Sequence, residues 1–245
     1  MIKAVFFDYG GTLFDYCPSN YQLLGSVARK YGIDMPDTDP MLSVAFQRQE
    51  ERMMELFRTR GKPKFSLLKE EDWITLDLIL LDAVGVKDPG ALGDLVDKFE
   101  KREFDFKIYP ESIEVIEYLK GRGFGLGIIT NLCGPARIVE RYEQLREHGI
   151  LELFDVVTMS GEIEASKPDP EIFLRSLEKL DGIAPEEVLF VGDSYFFDVL
   201  GSKKVGMVPV LLDPNLGTDH DCLKIASFKD LIPILGGING EDYRL

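Results

Sequence analysis

An α/β fold, a parallel β-sheet with helices on both faces and a helical segment set into it, is what this sequence predicts. Three observations lead there. Short apolar runs end in small or polar residues at intervals along the chain. Helical periodicities separate most of those runs. One long stretch breaks the alternation with helix alone.

Ile2 to Phe7 is a continuous apolar run closed by Asp8-Tyr9-Gly10-Gly11-Thr12. A strand buried on both faces needs no polar alternation, so this pattern predicts a central parallel strand. Residues 16–105 then read as helix. Tyr21, Leu24, Val27, Ala28 and Tyr31 share one face, and Asp39-Pro40 marks a helix start before Met41, Val44 and Ala45. Trp73, Leu76, Leu80, Leu81 and Val84 form another stripe, followed by Leu92, Leu95, Val96 and Phe99. A module inserted directly after the first strand is expected to cover the strand ends as a lid.

The alternation resumes with Ile113, Val115, Ile116 and Leu119 at helical spacing. Phe124 to Ile129 is a strand ending in Thr130-Asn131, and Ile138, Tyr142 and Leu145 fit the next helix. Phe154 to Met159 ends in Ser160-Gly161. Asp169 as N-cap and Pro170 at the first helical position open a helix carrying Ile172, Phe173, Leu177 and Leu180. Val188 to Val191 ends in Gly192-Asp193-Ser194, and Val208 to Leu212 ends in Asp213. The prediction is a Rossmann-like core from residues 1–15 and 106–245, with an α-helical cap domain at 16–105. Gly121, Gly123, Gly125 and Gly127 run from a helix into a strand, the wrong order for a dinucleotide loop. They read as a helix stop followed by close backbone packing.

The chain carries 28 Lys+Arg against 43 Asp+Glu, a formal charge of −15 over 245 residues. Nucleic acid and anionic membranes need basic faces, so neither is expected as a partner. A 45% hydrophobic content argues against disorder. Cys17, Cys133 and Cys222 are too scattered for a disulfide framework or a zinc site. Cys133 follows a strand end without an evident activating partner. The first apolar run stops at Asp8 and no longer one follows, so a cytoplasmic monomer or homodimer is expected.

Ligands of open parallel sheets bind at the carboxyl ends of the strands. Polar clusters gather there: Asp8 to Thr12, Thr130-Asn131, Lys167-Pro168, and Gly192-Asp193 with Asp198. They suit phosphoryl transfer to a carboxylate. An aspartate approaching an anionic phosphate needs a divalent cation to offset the repulsion. Oxygen donors such as Asp8, Asp193 and a backbone carbonyl match Mg²⁺, and Asp198 can join them from the following turn. The Thr130 hydroxyl and the Lys167 ammonium suit the remaining phosphoryl oxygens.

In order and spacing these clusters resemble the haloacid dehalogenase superfamily, as do the module after the first strand and the Tyr109-Pro110 that opens the return to the core. The resemblance implies Asp8 as the nucleophile, forming an aspartyl-phosphate. It implies Mg²⁺ held by Asp8, the Gly10 carbonyl and Asp193, with Asp198 supporting. It implies phosphate binding by Thr130 and Lys167, with Lys167 also orienting Asp8; Asn131 and Gly11 are further phosphate-binding candidates. The expected activity is Mg²⁺-dependent hydrolysis of a small phosphorylated metabolite.

One position departs. Phosphatases of this family carry a second aspartate two residues after the nucleophile, which protonates the leaving group and then activates water. Here Gly10 stands there. Such acid–base help is worth roughly 10²–10⁴ in rate. Three readings stay open: a good leaving group, such as an acyl, aryl or sugar 1-phosphate; a substitute acid, Asp15 or a cap residue; or a phosphate-ligand binder with little turnover. A 2-haloacid dehalogenase-like activity is disfavoured by the metal-using pattern of Gly192-Asp193 with Asp198. A phosphonoacetaldehyde-hydrolase-like activity fits the small Gly10 but needs an imine-forming cap lysine, for which Lys30, Lys62 and Lys64 are candidates.

Two further features draw notice. Arg58, Arg60, Lys62 and Lys64 form a basic cluster in an acidic chain, suited to a substrate's distal anion or simply a solvated loop. Gly192-Asp193-Ser194-Tyr195-Phe196 nearly matches a nucleophile elbow, with Asp213 and His220 following in chain order.

Overall fold

The structure, a computed structural model, describes residues 1–61, 68–100, 105–132, 135–163, 165–214 and 219–243, and only the backbone at 16, 17, 100, 105, 106, 135 and 136. The chain forms two compact units. One holds Met1–Asp15, Ile108–Pro214 and His220–Leu245, the other Tyr16–Lys107 and Asn215–Asp219.

In chain order the strands are β1 (Ala4–Phe7), β2 (Phe14–Cys17), β3 (Asp105–Ile108), β4 (Gly125–Thr130), β5 (Val156–Met159), β6 (Val188–Gly192), β7 (Val208–Leu212) and β8 (Leu223–Ile225). The principal helices are α1 (Asn20–Lys30), α2 (Pro40–Arg60), α3 (Glu70–Ala83), α4 (Ala91–Glu100), α5 (Pro110–Gly121), α6 (Pro135–Glu147), α7 (Pro170–Leu177), α8 (Gly201–Lys204) and α9 (Leu231–Asn239).

The first unit is built on a parallel sheet in the order β5-β4-β1-β6-β7-β8. Every residue of β1 is fully buried, which explains its unbroken apolar run. Phe7 stands opposite Ile128 of β4 and Val191 of β6. Burying one such side chain stabilises the fold by roughly 1.5–3 kcal/mol. On one face Phe6, Ile172, Phe173, Val188 and Phe190 share a core. Gly127 admits the Phe6 ring, because a Cβ there would lie 2.6 Å from it. The glycine run thus combines a helix end at Gly121 with close strand packing. β8 was not legible as a strand; its Leu-Lys-Ile is short and half exposed.

The second unit packs α1, α2, α3 and α4 around Leu24, Val27, Ala28, Leu42, Ala45, Leu80 and Leu95. Asp39 caps α2 through the Met41 amide, with Pro40 next, as the Asp39-Pro40 signal predicts. Trp73 departs from its expected core position. It lies in the first turn of α3 and is 40% exposed, while Leu76 and Leu80 on the same stripe are buried. β2 and β3 pair with each other as a short ribbon. Among the described residues, no helix is long and apolar enough to cross a membrane.

Candidate active site

The strand order places β1 at the centre, with β4 and β5 on one side and β6, β7 and β8 on the other. In open parallel sheets the carboxyl end of a strand at such a reversal is where ligands bind. Asp8 follows β1, Thr130 closes β4, and Asp193 follows β6. The Asp8 amide donates to the Val191 carbonyl at 2.9 Å, so the sheet register itself sets where this carboxylate emerges.

Lys167 lies at the heart of the site. Its Nζ is 2.5 Å from Asp8 Oδ1 and 2.6 Å from Asp198 Oδ1, and all three residues are buried. Burial alone would push the lysine pKa down, but Asp198 and Asp8 outweigh it and hold the ammonium above its ordinary value. Burial holds the Asp198 carboxyl above its ordinary value, opposed by Lys167 and assisted by Asp8. Such charge-assisted contacts are among the strongest hydrogen bonds in proteins.

Two local structures hold this arrangement. The Asn131 side chain takes the Lys167 backbone at both polar groups, with Nδ2 donating to its carbonyl at 3.0 Å and Oδ1 accepting its amide at 2.7 Å. Asp198 sits in a π-helical turn, Tyr195–Leu200, and its Oδ2 accepts the Ser194 amide at 3.0 Å. Turns of this rare kind recur at functional sites. A Cβ on Gly192 would fall 2.3 Å from the Asp198 carboxyl carbon, so only glycine leaves room for it.

Asp8, Asp193 and Asp198 each offer an oxygen, and these atoms lie within 4.8 Å of one another. An all-carboxylate donor set suits a hard cation, so the residues present fit Mg²⁺. Asp193 is exposed, and Thr12, wholly buried, donates its hydroxyl to Asp193 Oδ1 at 3.4 Å. Thr12 was missed as an individual; its signal was membership of the first polar cluster. Gly11 has φ +82°, and a Cβ there would lie 2.2 Å from Asp193 Oδ2. Its amide donates to the Phe14 carbonyl at 2.7 Å. Its N–H closes the turn, and its lack of a side chain admits Asp193.

Thr130 is 7% exposed, and its hydroxyl makes no hydrogen bond among the described residues. Asp15 is half-buried on β2 and outside the carboxylate trio. Arg58 is exposed at the end of α2. Arg60 is engaged within the helical unit, its Nη2 lying 2.5 Å from the buried Asp72 Oδ2. Lys30 pairs with Asp94. Lys62, Lys64 and Cys133 lie outside the described residues. The elbow-like segment serves another purpose: Ser194 Oγ accepts the Phe197 amide at 3.0 Å and so caps the π turn. His220 lies flat on Tyr195, with ring centroids 3.6 Å apart and planes at 6°.

Comparison with known proteins agrees with this geometry. The family described as haloacid dehalogenase-like hydrolase matches residues 5–211. The chain is 31% identical to the glyceraldehyde 3-phosphate phosphatase of Methanopyrus kandleri over 214 residues, 86% of this chain and 83% of that one. It is 29% identical over 225 residues to the ribulose-1,5-bisphosphate 5-phosphatase of Halopiger xanaduensis, covering 89% and 88% of the two chains. The crystal structure of a HAD phosphatase from Thermococcus onnurineus superposes with a TM-score of 0.53 at 26% identity, covering 96% of this chain and 99% of the other. With the motifs in order, the parallel sheet and the family match over most of its length, this chain belongs to the haloacid dehalogenase-like hydrolases.

Proposed function

We propose that this hydrolase is a Mg²⁺-dependent phosphatase acting on a small phosphorylated metabolite through an aspartyl-phosphate on Asp8. The observation that carries the reading is the buried contact of Lys167 Nζ with Asp8 Oδ1 at 2.5 Å, at the crevice beside Asp193. Lys167 engages one carboxylate oxygen of Asp8 and leaves the other to attack phosphorus. Asp198 holds the ammonium from its far side, and Asn131 fixes the backbone that carries it. With both of its oxygens engaged by Lys167 and Ser194, Asp198 serves as the partner of the lysine before it serves a metal. The Thr130 hydroxyl donates to a phosphoryl oxygen. Mg²⁺, held by Asp8, Asp193 and the Gly10 carbonyl, would supply charge neutralisation at the phosphoryl group. The bond from phosphorus to the leaving oxygen breaks as the bond to Asp8 forms, and water then releases phosphate from Asp8.

The names of the relatives point to sugar and triose phosphates as the substrate class. Those are alkyl esters, whose alkoxide leaving groups depend strongly on a proton donor. Gly10 supplies none, which favours substrates with better leaving groups. A panel of sugar phosphates, acyl phosphates and an aryl phosphate, assayed with and without Mg²⁺, tests both points. Metal-dependent turnover that vanishes in Asp8→Asn supports the reading, and turnover without metal contradicts it.

Gly10 also supports a second reading, a binder of phosphorylated ligands with little turnover. That reading expects thermal stabilisation by Mg²⁺ plus ligand with no phosphate released.

A further inference from the structure

Arg141, on α6, is a charged residue only 4% exposed that the phosphoryl chemistry above does not use. A guanidinium taken out of water needs compensation around it. It finds much of that around one ring. Its Cζ lies 5.6 Å from the centroid of Tyr9, within the range of cation–π attraction. Its Nη1 donates to Gln144 Oε1 at 2.8 Å, and the same oxygen accepts the Tyr9 hydroxyl at 2.8 Å. Glu140 Oε1, at the rim, is 3.3 Å from Nη1. The Tyr9 ring is also stacked on Phe14, with centroids 4.4 Å apart and planes at 9°. The main chain closes the same turn, with the Phe14 amide donating to the Tyr9 carbonyl at 2.9 Å.

Tyr9 therefore has its ring held by Phe14 and Arg141 and its hydroxyl by Gln144. It is also the residue between Asp8 and Gly10, so its backbone dihedrals fix where Gly10 lies relative to Asp8. We propose that Arg141 is a positioning residue for the nucleophile turn, clamping Tyr9 against Phe14 and thereby holding Asp8 and the Gly10 carbonyl in place. In its catalytic consequence this rests on the phosphatase reading of the same site. Arg141 acts through Tyr9 and touches no reacting atom.

The test compares wild type, Arg141→Met, Arg141→Lys, Tyr9→Leu and the double variant Arg141→Met with Tyr9→Leu. The readouts are kcat and KM on an aryl phosphate, Mg²⁺ affinity by calorimetry, and thermal unfolding. Arg141→Met is expected to lower kcat by roughly 10- to 100-fold, the scale of a small misplacement of a reacting group, with KM little changed. Arg141→Lys recovers part of the loss. In the Tyr9→Leu background Arg141→Met brings no further loss in kcat, because the two residues act through one contact. Losses that add, or a lower melting temperature with kcat of the folded protein unchanged, overturn the proposal. If Arg141→Met does not fold, Tyr9→Leu carries the test, because it removes the ring that Arg141 and Phe14 hold, and a wild-type kcat in folded Tyr9→Leu overturns the proposal. If wild type hydrolyses no phosphate ester, the phosphatase reading fails on its own. Mg²⁺ affinity then decides this proposal: it weakens in Arg141→Met if the turn is held as argued, and an unchanged affinity overturns it.

Discussion

Asn131 holds the backbone of Lys167 at two points, 3.0 Å at the carbonyl and 2.7 Å at the amide, although 36 residues separate them in the chain. The end of β4 thus sets where the lysine begins, and the lysine sets where Asp8 points.

Asn131→Ala should therefore damage catalysis without removing a group that bears charge. It leaves a backbone donor and acceptor unpaired at a part-buried position, a cost of about 1–3 kcal/mol in stability. The freed Lys167 is expected to lower kcat by roughly 10- to 100-fold. Steady-state kinetics and chemical denaturation on the same preparation measure both, and a full-rate variant with lowered stability would show that Asn131 supports only the fold.

Gly11→Ala meets two obstacles, the left-handed φ of +82° and a Cβ 2.2 Å from Asp193 Oδ2. Backbone strain of this kind costs about 1–3 kcal/mol. The collision should also displace Asp193 and raise the Mg²⁺ concentration needed for half-maximal activity. Gly32→Ala is the control: its φ is +84°, but nothing lies within 4 Å of the added Cβ. It should lose stability while its Mg²⁺ titration stays that of wild type.

Gly10 is not among the glycines with positive φ, so a side chain there meets no left-handed backbone. Gly10→Asp is expected to raise turnover of alkyl phosphates by about 10²-fold, the lower end of general acid–base contributions. Aryl phosphates, which leave without a proton, should gain little. The ratio of the two rates checks this. An unchanged ratio would mean that another group already supplies the proton.

Asp77, on α3, is a part-buried carboxyl whose pKa burial raises from 3.8 to about 6. The folded chain therefore binds this proton more tightly than the unfolded chain does. Its stabilising contribution is fully present below about pH 4 and is lost as pH rises through about 6. Melting temperatures from pH 4 to pH 7 should show a downward trend from this group, flattened in Asp77→Asn. An identical profile in the two proteins would remove Asp77 as its source.

β1 and β6 were legible because their burial is uniform. Ala4 to Phe7 face apolar neighbours on both sides, so the run is apolar throughout and stops where Asp8 meets the crevice. Lys167 and Asp193 stood out because the order of their clusters resembles that of the haloacid dehalogenase superfamily. The partners that hold them were harder to see. Asn131 reads as an ordinary turn residue until the fold brings it to Lys167, and Arg60 reads as part of a basic loop until Asp72 takes it. Arg141 stands at helical spacing from Ile138 and Leu145 on α6, but an arginine on such a stripe reads as solvated until the fold brings Tyr9 and Gln144 to it. β2 and β3 pair with each other over short mixed segments, and such segments have no apolar run to announce them. Pairings between distant polar residues depend on topology, which periodicity does not encode.

The central claim is that Asp8 becomes phosphorylated. Rapid acid quench of the Mg²⁺-loaded protein with a turned-over phosphate ester, followed by mass analysis of the peptide carrying Asp8, tests it directly. A phosphoryl adduct on Asp8 that forms within one turnover and is absent in Asp8→Asn is the predicted result. Metal-dependent turnover that persists in Asp8→Asn, with no adduct in wild type, would contradict it.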